Sequence, residues 1–306
     1  MRFALLLLCL FAFAFRPDKP AYRLYGSKLK ATTYAKLLHD AAEADVVLFG
    51  ELHNNPICHW LELQLTKDLE AAKKGSLVLG AEMFETDNQT ALTNFIDGRT
   101  TDKELAAQAR LWPNFDTDYK PIANFAREHK IPFIATNIPR RYASLVARNG
   151  LTALDTLPSE AKRQIAPLPL VVDLTLPGYK AMLDMMGSGS GHDSKSAQNN
   201  PHGSNNDSAA NFARAQAIKD ATMAYFIRQN LNPGQTLLHF NGDYHSKNFE
   251  GIVWYLRQQQ PGNPSRPLTI LTISSVEIPD PDHPSADNQN LADFVLAIPS
   301  DMTKTY

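Results

Sequence analysis

The chain has 306 residues, with 30 Lys and Arg against 32 Asp and Glu and a formal net charge of −2 at pH 7. That length carries one large domain or two modest ones around a sizeable core, and the nearly balanced charge, with no basic block, argues against a nucleic-acid partner. No P-loop, dinucleotide-binding glycine fingerprint or Gly-x-Ser-x-Gly elbow occurs, which removes several common enzyme classes.

The N-terminus departs from this composition. Met1-Arg2 is followed by an apolar run, 3–15, and then by Arg16-Pro17-Asp18. One positive charge, a short apolar region and an Ala12-Phe13-Ala14 cleavage site predict a secretory signal peptide over 1–14. The run falls short of the roughly 20 residues that a bilayer span needs. The mature protein is therefore expected to be secreted across the inner membrane, in the periplasm or envelope. Cys9, after Leu6-Leu7-Leu8, offers a lipid anchor instead, although Leu8 stands where a lipoprotein signal has a small residue. With the signal removed only Cys58 remains, so no internal disulfide is expected.

Residues 31–44 carry Tyr34, Leu37, Leu38 and Ala41 at helical spacing, with Thr32 or Thr33 as N-cap. The apolar run 45–49 predicts a strand and leads into Gly50-Glu51-Leu52-His53. Pro56 opens a helix with Trp60, Leu61, Leu63, Leu65 and Leu69 as its apolar positions, closed by Lys73-Lys74-Gly75. A second strand, 76–82, ends in the carboxylate of Glu82. Helices are predicted over 88–96, 102–111 and 118–129, and a third strand over 131–136. Asn137-Ile138-Pro139-Arg140 then begins another helix. Alternating strand and helix predict an α/β fold, a mostly parallel sheet flanked by helices.

The middle of the chain reads differently. Residues 187–208 are rich in Gly, Ser and Asn and nearly free of apolar side chains, the composition of a flexible polar loop. Helical patterns flank it at 179–186 and 211–229, making a helical insertion or subdomain of about 157–230 within an α/β domain of 25–306. The α/β pattern resumes with a strand at 235–240, the tetrapeptide Gly242-Asp243-Tyr244-His245, a helix at 249–260, and strands at 268–273 and 294–298.

Two Gly-x-x-His tetrapeptides at strand ends are the main chemical signal. In open α/β sheets ligands sit at the carboxyl edge, and two such edges deliver two imidazoles to one crevice. Glu51, His53, Glu82 and His245 together suit a divalent transition metal or an acid/base pair. The plainer alternative is that these polar residues cap the following helices. Arg140 at the same edge suits a carboxylate or propionate, or is a solvated residue at a helix start. Tyr244 and His245 are both of the types that serve as axial haem ligands. His192 and His202 in the polar loop read as solvated, and Cys58-His59 lacks a second ligand pair.

Val47-Leu48-Phe49-Gly50-Glu51-Leu52-His53-Asn54-Asn55-Pro56 resembles the opening motif of the ChaN-like haem-binding proteins, a branch of the Tiki/TraB superfamily. Gly80-Ala81-Glu82-Met83-Phe84, Trp112 with Tyr119-Lys120-Pro121, Asn137-Ile138-Pro139-Arg140, Ala215-Gln216 with Asp220-Ala221-Thr222-Met223-Ala224, and Gly242-Asp243-Tyr244-His245 follow in order. The resemblance implies an α/β body with a helical subdomain, a part in bacterial iron uptake beside outer-membrane uptake machinery, and haem held between two molecules in a haem-linked homodimer. It places the superfamily pattern on His53, Glu82, Arg140 and His245. Family members usually carry His-Gly before the Ala-Gln helix; here His202-Gly203 lies inside the long polar loop.

Two functions follow. The preferred one is an envelope haem-binding protein, with Tyr244 and His245 on the iron side and Arg140 at the propionates. The alternative is a metal-dependent hydrolase, a peptidase or esterase, using a divalent transition metal such as zinc. There His53, Glu82 and His245 ligate the metal, Glu51 is the general base on bound water, and Arg140 completes the catalytic set.

Overall fold

The computed structural model describes residues 19–188, 205–258 and 267–306. The expected signal peptide, Cys9, and His192 and His202-Gly203 of the polar loop lie outside the described residues. After β1 (Arg23–Gly26) comes α1 (Tyr34–Glu43), capped by the Thr33 hydroxyl, which accepts from the Lys36 amide at 3.2 Å. β2 (Val46–Glu51) leads into α2 (Pro56–Lys73). Asn55 caps α2 by accepting from the Ile57 and Cys58 amides, and Pro56 takes the first turn, where a missing N–H is harmless. β3 (Leu77–Glu85), α3 (Gln89–Ile96) and α4 (Asp102–Gln108) follow, α4 opening with a Thr101–Glu104 capping box. A π-turn at Phe115–Tyr119 then feeds α5 (Lys120–His129).

β4 (Phe133–Asn137) precedes α6 (Arg140–Asn149), the one-turn α7 (Ser159–Lys162), α8 (Pro177–Ser188) and the long α9 (Asn205–Gln229). β5 (Thr236–Gly242), a 3-10 turn at Asp243–His245, α10 (Ile252–Arg257), β6 (Ile270–Ile278) and β7 (Phe294–Pro299) complete the described chain. α8 and α9 both reach into the ends of the stretch expected to be a polar loop.

Among the described residues the sheet has seven strands, in the order β1-β7-β6-β2-β5-β3-β4. Only β1 runs antiparallel, against β7; every other pairing is parallel. β1 is absent from the sequence reading, since four residues at an edge leave no measurable period. β3 runs past Glu82 to Glu85, because Met83 and Phe84 remain buried and extend the apolar run. Its pairing with β4 shifts register between Ala81 and Glu85, so Glu82 sits in an irregular stretch rather than at a strand end.

Alternate residues of the central strands serve opposite layers. Val47, Phe49, Leu79, Leu238 and Phe240 pack with Leu65 and Leu69 of α2, Phe95 of α3 and Ile122 of α5. Val46, Leu48, Val78 and Leu237 pack with Met223 and Ile227 of α9 and with Ile252, Val253 and Leu256 of α10. Each large side chain so buried contributes about 1.5–3 kcal/mol. No helix among the described residues is long and apolar enough to cross a membrane.

Candidate functional site

β2 and β5, remote in sequence, are parallel neighbours with Glu51 opposite Gly242, so the two tetrapeptides stand side by side at the carboxyl edge. β3 flanks β5 on its other side and brings in Glu82, whose Oε2 accepts from the Gly242 amide at 2.9 Å. Both glycines lie at close approaches. A Cβ on Gly50 would lie 2.8 Å from the Ile273 carbonyl oxygen and 2.9 Å from Asp243 Oδ1. One on Gly242 would lie 2.8 Å from the ring of His53.

The two imidazoles differ in state. His53 Nδ1 is 2.6 Å from Glu51 Oε1, which also accepts from the Tyr119 hydroxyl at 2.8 Å. Since the carboxylate accepts, Nδ1 carries a proton, and Nε2 is the ring nitrogen without a hydrogen-bond partner among the described residues. The ring sits edge-on to Trp112 at 4.8 Å, and 37% of the side chain stays accessible. Burial pulls the His53 pKa down, but the hydrogen bond and charge of Glu51, with the charge of Glu82, outweigh it and raise the pKa.

His245 is buried with both nitrogens engaged. Nδ1 lies 2.5 Å from Asp220 Oδ1 and Nε2 3.2 Å from Glu82 Oε1. Burial disfavours its charge, yet the Glu82 and Asp220 carboxylates prevail and push it up to about 10. Glu82 responds in the opposite sense. Burial raises its carboxyl, but His245, Lys219 and His53 hold it well below the usual carboxylate range. His245 is thus an imidazolium fixed between two carboxylates.

A cavity of about 610 Å³ opens over this edge. His53, Glu82 and His245 line it, together with Leu111 and Trp112 from the loop before the π-turn, Ile138 and Ala143 at the start of α6, and Phe212 and Ala215 of α9. Arg110, Arg140 and Lys219 line it as well. The Arg140 backbone amide donates to Glu85 Oε2 at 3.0 Å, and Arg110 pairs with Glu85 Oε1 at 3.2 Å. Among the described residues neither the Arg140 guanidinium nor the Lys219 ammonium has a hydrogen bond or ion pair.

The structure therefore gathers His53, Glu82, Arg140 and His245 of the expected set. Two members stand elsewhere. Glu51 is fully buried behind His53 and is not part of the cavity lining, so its route to the cavity runs through the imidazole. Tyr244 also lies outside the lining, and its hydroxyl donates to the Gly178 carbonyl. Burial, then Asp220 and Glu250, push that phenol up to about 12. The His53, Glu82 and His245 trio is not drawn as close as a metal triad. Among the described residues only Glu51, His59 and Glu62 bring ligand atoms within 4.8 Å of one another.

Asp220 and Lys219 are site residues that the sequence reading did not assign. The signal for them was Gln216, Lys219 and Asp220 at helical i, i+3 and i+4 positions, one face of α9.

No curated protein matches the chain. Among solved structures the fold is similar to that of "Cofacial heme binding to ChaN of Campylobacter jejuni", with a TM-score of 0.64 at 17% identity, covering 90% of this chain and 96% of that chain. An erythromycin esterase mutant, EreC in its open conformation, gives 0.45 at 10% identity over 87% and 81% of the two chains. The type III effector HopBA1 gives 0.40 at 12% identity over 86% and 91%. The family model described as haem-binding uptake, Tiki superfamily, ChaN matches residues 37–256, most of the chain, and the protein belongs to that family.

Proposed function

We propose that the protein binds haem in the His53 cavity and serves haem-iron uptake at the cell envelope. Haem needs apolar surface for its ring, cations for its propionates and a lone pair for its iron. The residues present fit each demand. Trp112, Ile138 and Phe212 supply apolar area, and Arg110, Arg140 and Lys219 supply three cations beside it. The single observation that carries the reading is His53, which lines the cavity and is held by Glu51 at Nδ1, leaving Nε2 without a partner among the described residues. His53 is therefore a better axial candidate than His245, whose nitrogens are both occupied, or Tyr244, whose phenol is turned to Gly178.

The export signal expected at the N-terminus supports an envelope location. The cofacial haem arrangement named for the Campylobacter jejuni protein supports a haem-linked pair of molecules here. A second reading, hydrolysis, is favoured by one observation: Glu51 behind His53 is a carboxylate–imidazole pair of the kind that serves as a general base. Turnover of a chromogenic ester by wild type and its loss in His53→Gln would support that reading.

The haem proposal is tested by titrating haem into the purified protein and following its Soret band. Saturation near one haem per chain is expected. The triple variant Arg110→Gln, Arg140→Gln and Lys219→Gln should bind about tenfold more weakly or worse, since losing about 1.4 kcal/mol lowers affinity tenfold. No saturation in wild type, or an unchanged triple variant, would overturn the assignment of the cavity.

A further inference from the structure

Behind His53, on the side away from the cavity, a second polar cluster lies within the apolar core. α2 presents His59 and Glu62 one turn apart, and β2 ends in Glu51 beside them. All three are buried, Glu51 and Glu62 to 1% exposure or less. Among the described residues no Lys or Arg pairs with either carboxylate. Two carboxylates buried this way need a compensating cation or protons.

The hydrogen positions restrict the choice. His59 Nε2 is 3.2 Å from the His53 carbonyl oxygen, which can only accept, so Nε2 carries the proton. The other ring nitrogen, Nδ1, faces Glu62 Oε2 at 3.0 Å and Glu51 Oε2 at 3.4 Å. Glu51 Oε1 is occupied by His53 and Tyr119, while Glu51 Oε2 and Glu62 Oε1 are buried with no hydrogen-bond partner. Three ligand atoms face one another, all within 4.8 Å. Metal–ligand bonds of about 2.0–2.2 Å set neighbouring ligands about 3.0–3.5 Å apart, which matches the 3.0 Å and 3.4 Å separations of Nδ1 from the two carboxylates. The His53 carbonyl on the far ring nitrogen, and His53 and Tyr119 on Glu51, are the outer partners that orient metal ligands.

We propose that Glu51, His59 and Glu62 form a buried site for a divalent first-row transition ion of the zinc class, separate from the haem cavity. One imidazole and two carboxylates suit such an ion. Through Glu51 the ion fixes the carboxylate that orients His53, so the core site and the cavity share one side chain. The proposal goes beyond the haem reading and does not need it.

The test uses full-length protein stripped of metal, without haem, and Zn²⁺ as the probe. One Zn²⁺ per chain retained through gel filtration, with a rise in unfolding temperature, is expected, because binding to a site formed only on folding stabilises the fold. Glu62→Gln, which keeps the side-chain volume, and His59→Gln should each lower affinity at least tenfold. His39→Gln, on the exposed face of α1, should retain it. Co²⁺ in place of Zn²⁺ should give visible absorption in wild type that is lost in Glu62→Gln. No retained ion, retention undiminished in both core variants, or an equal loss in His39→Gln would each overturn the proposal. Haem titration of Glu62→Gln reports the cavity separately and distinguishes failure of this site from failure of haem binding.

Discussion

His53 and His245 hold the same place in two similar tetrapeptides, and their neighbours give them opposite chemistry. His53 meets one carboxylate and solvent; His245 meets Asp220 and Glu82 and is nearly buried. The His245 pKa is raised to about 10 from an ordinary 6.5, so its contribution to stability is complete below about pH 6.5 and is lost as pH rises through 10. Thermal unfolding of wild type and His245→Gln across pH 6 to 10 tests this. At pH 6 the variant should be less stable by about 3–5 kcal/mol, the loss expected when one partner of a buried ion pair is removed. The gap should narrow as pH approaches 10, and a pH-independent gap would contradict the ion pair. The tetrapeptides were legible at this scale because Gly, Glu and His follow apolar runs. Asp220 was not, because a helical Asp has no local mark of the strand-end histidine that it meets.

At the scale of elements, the glycines that end β2 and β5 serve different neighbours. A methyl group at Gly50 meets the Ile273 backbone, which cannot turn aside; one at Gly242 meets the end of the His53 ring, which can. Gly50→Ala should therefore destabilise the fold by about 1–3 kcal/mol or more. Gly242→Ala should unfold close to wild type yet bind haem more weakly, because His53 is displaced. Denaturant unfolding and Soret titration on the two variants measure both effects, and equal losses of stability would contradict this division. The central strands were legible because burial on both faces makes β2 a nearly continuous apolar run and β5 one broken by His239. Ends were less so. β3 outruns its expected limit, and the helix expected at 118–129 starts through a π-turn, where Asp118 and Tyr119 are drawn inward.

For the whole molecule, the strand order is what makes a site. With β5 between β2 and β3, residues from three distant segments reach one edge, while α6 and α9 bring Arg140, Lys219 and Asp220 to it. Alternating strands and helices made a mostly parallel sheet legible, but periodicity does not say which strand lies beside which, so the distances between the site groups had to come from the structure. His59 and Glu62 show the same limit. Their spacing places them on one helical face, and only the packing of α2 on β2 brings Glu51 to them. Whether haem binds through His53 is read from the absorption spectrum of the ferric haem complex, measured for wild type, His53→Ala and Tyr244→Phe. A saturable Soret shift is expected in wild type, the same spectrum in Tyr244→Phe, and an altered spectrum with weaker binding in His53→Ala. A wild-type spectrum in His53→Ala together with an altered one in Tyr244→Phe would contradict binding through His53 and move the iron to the phenol.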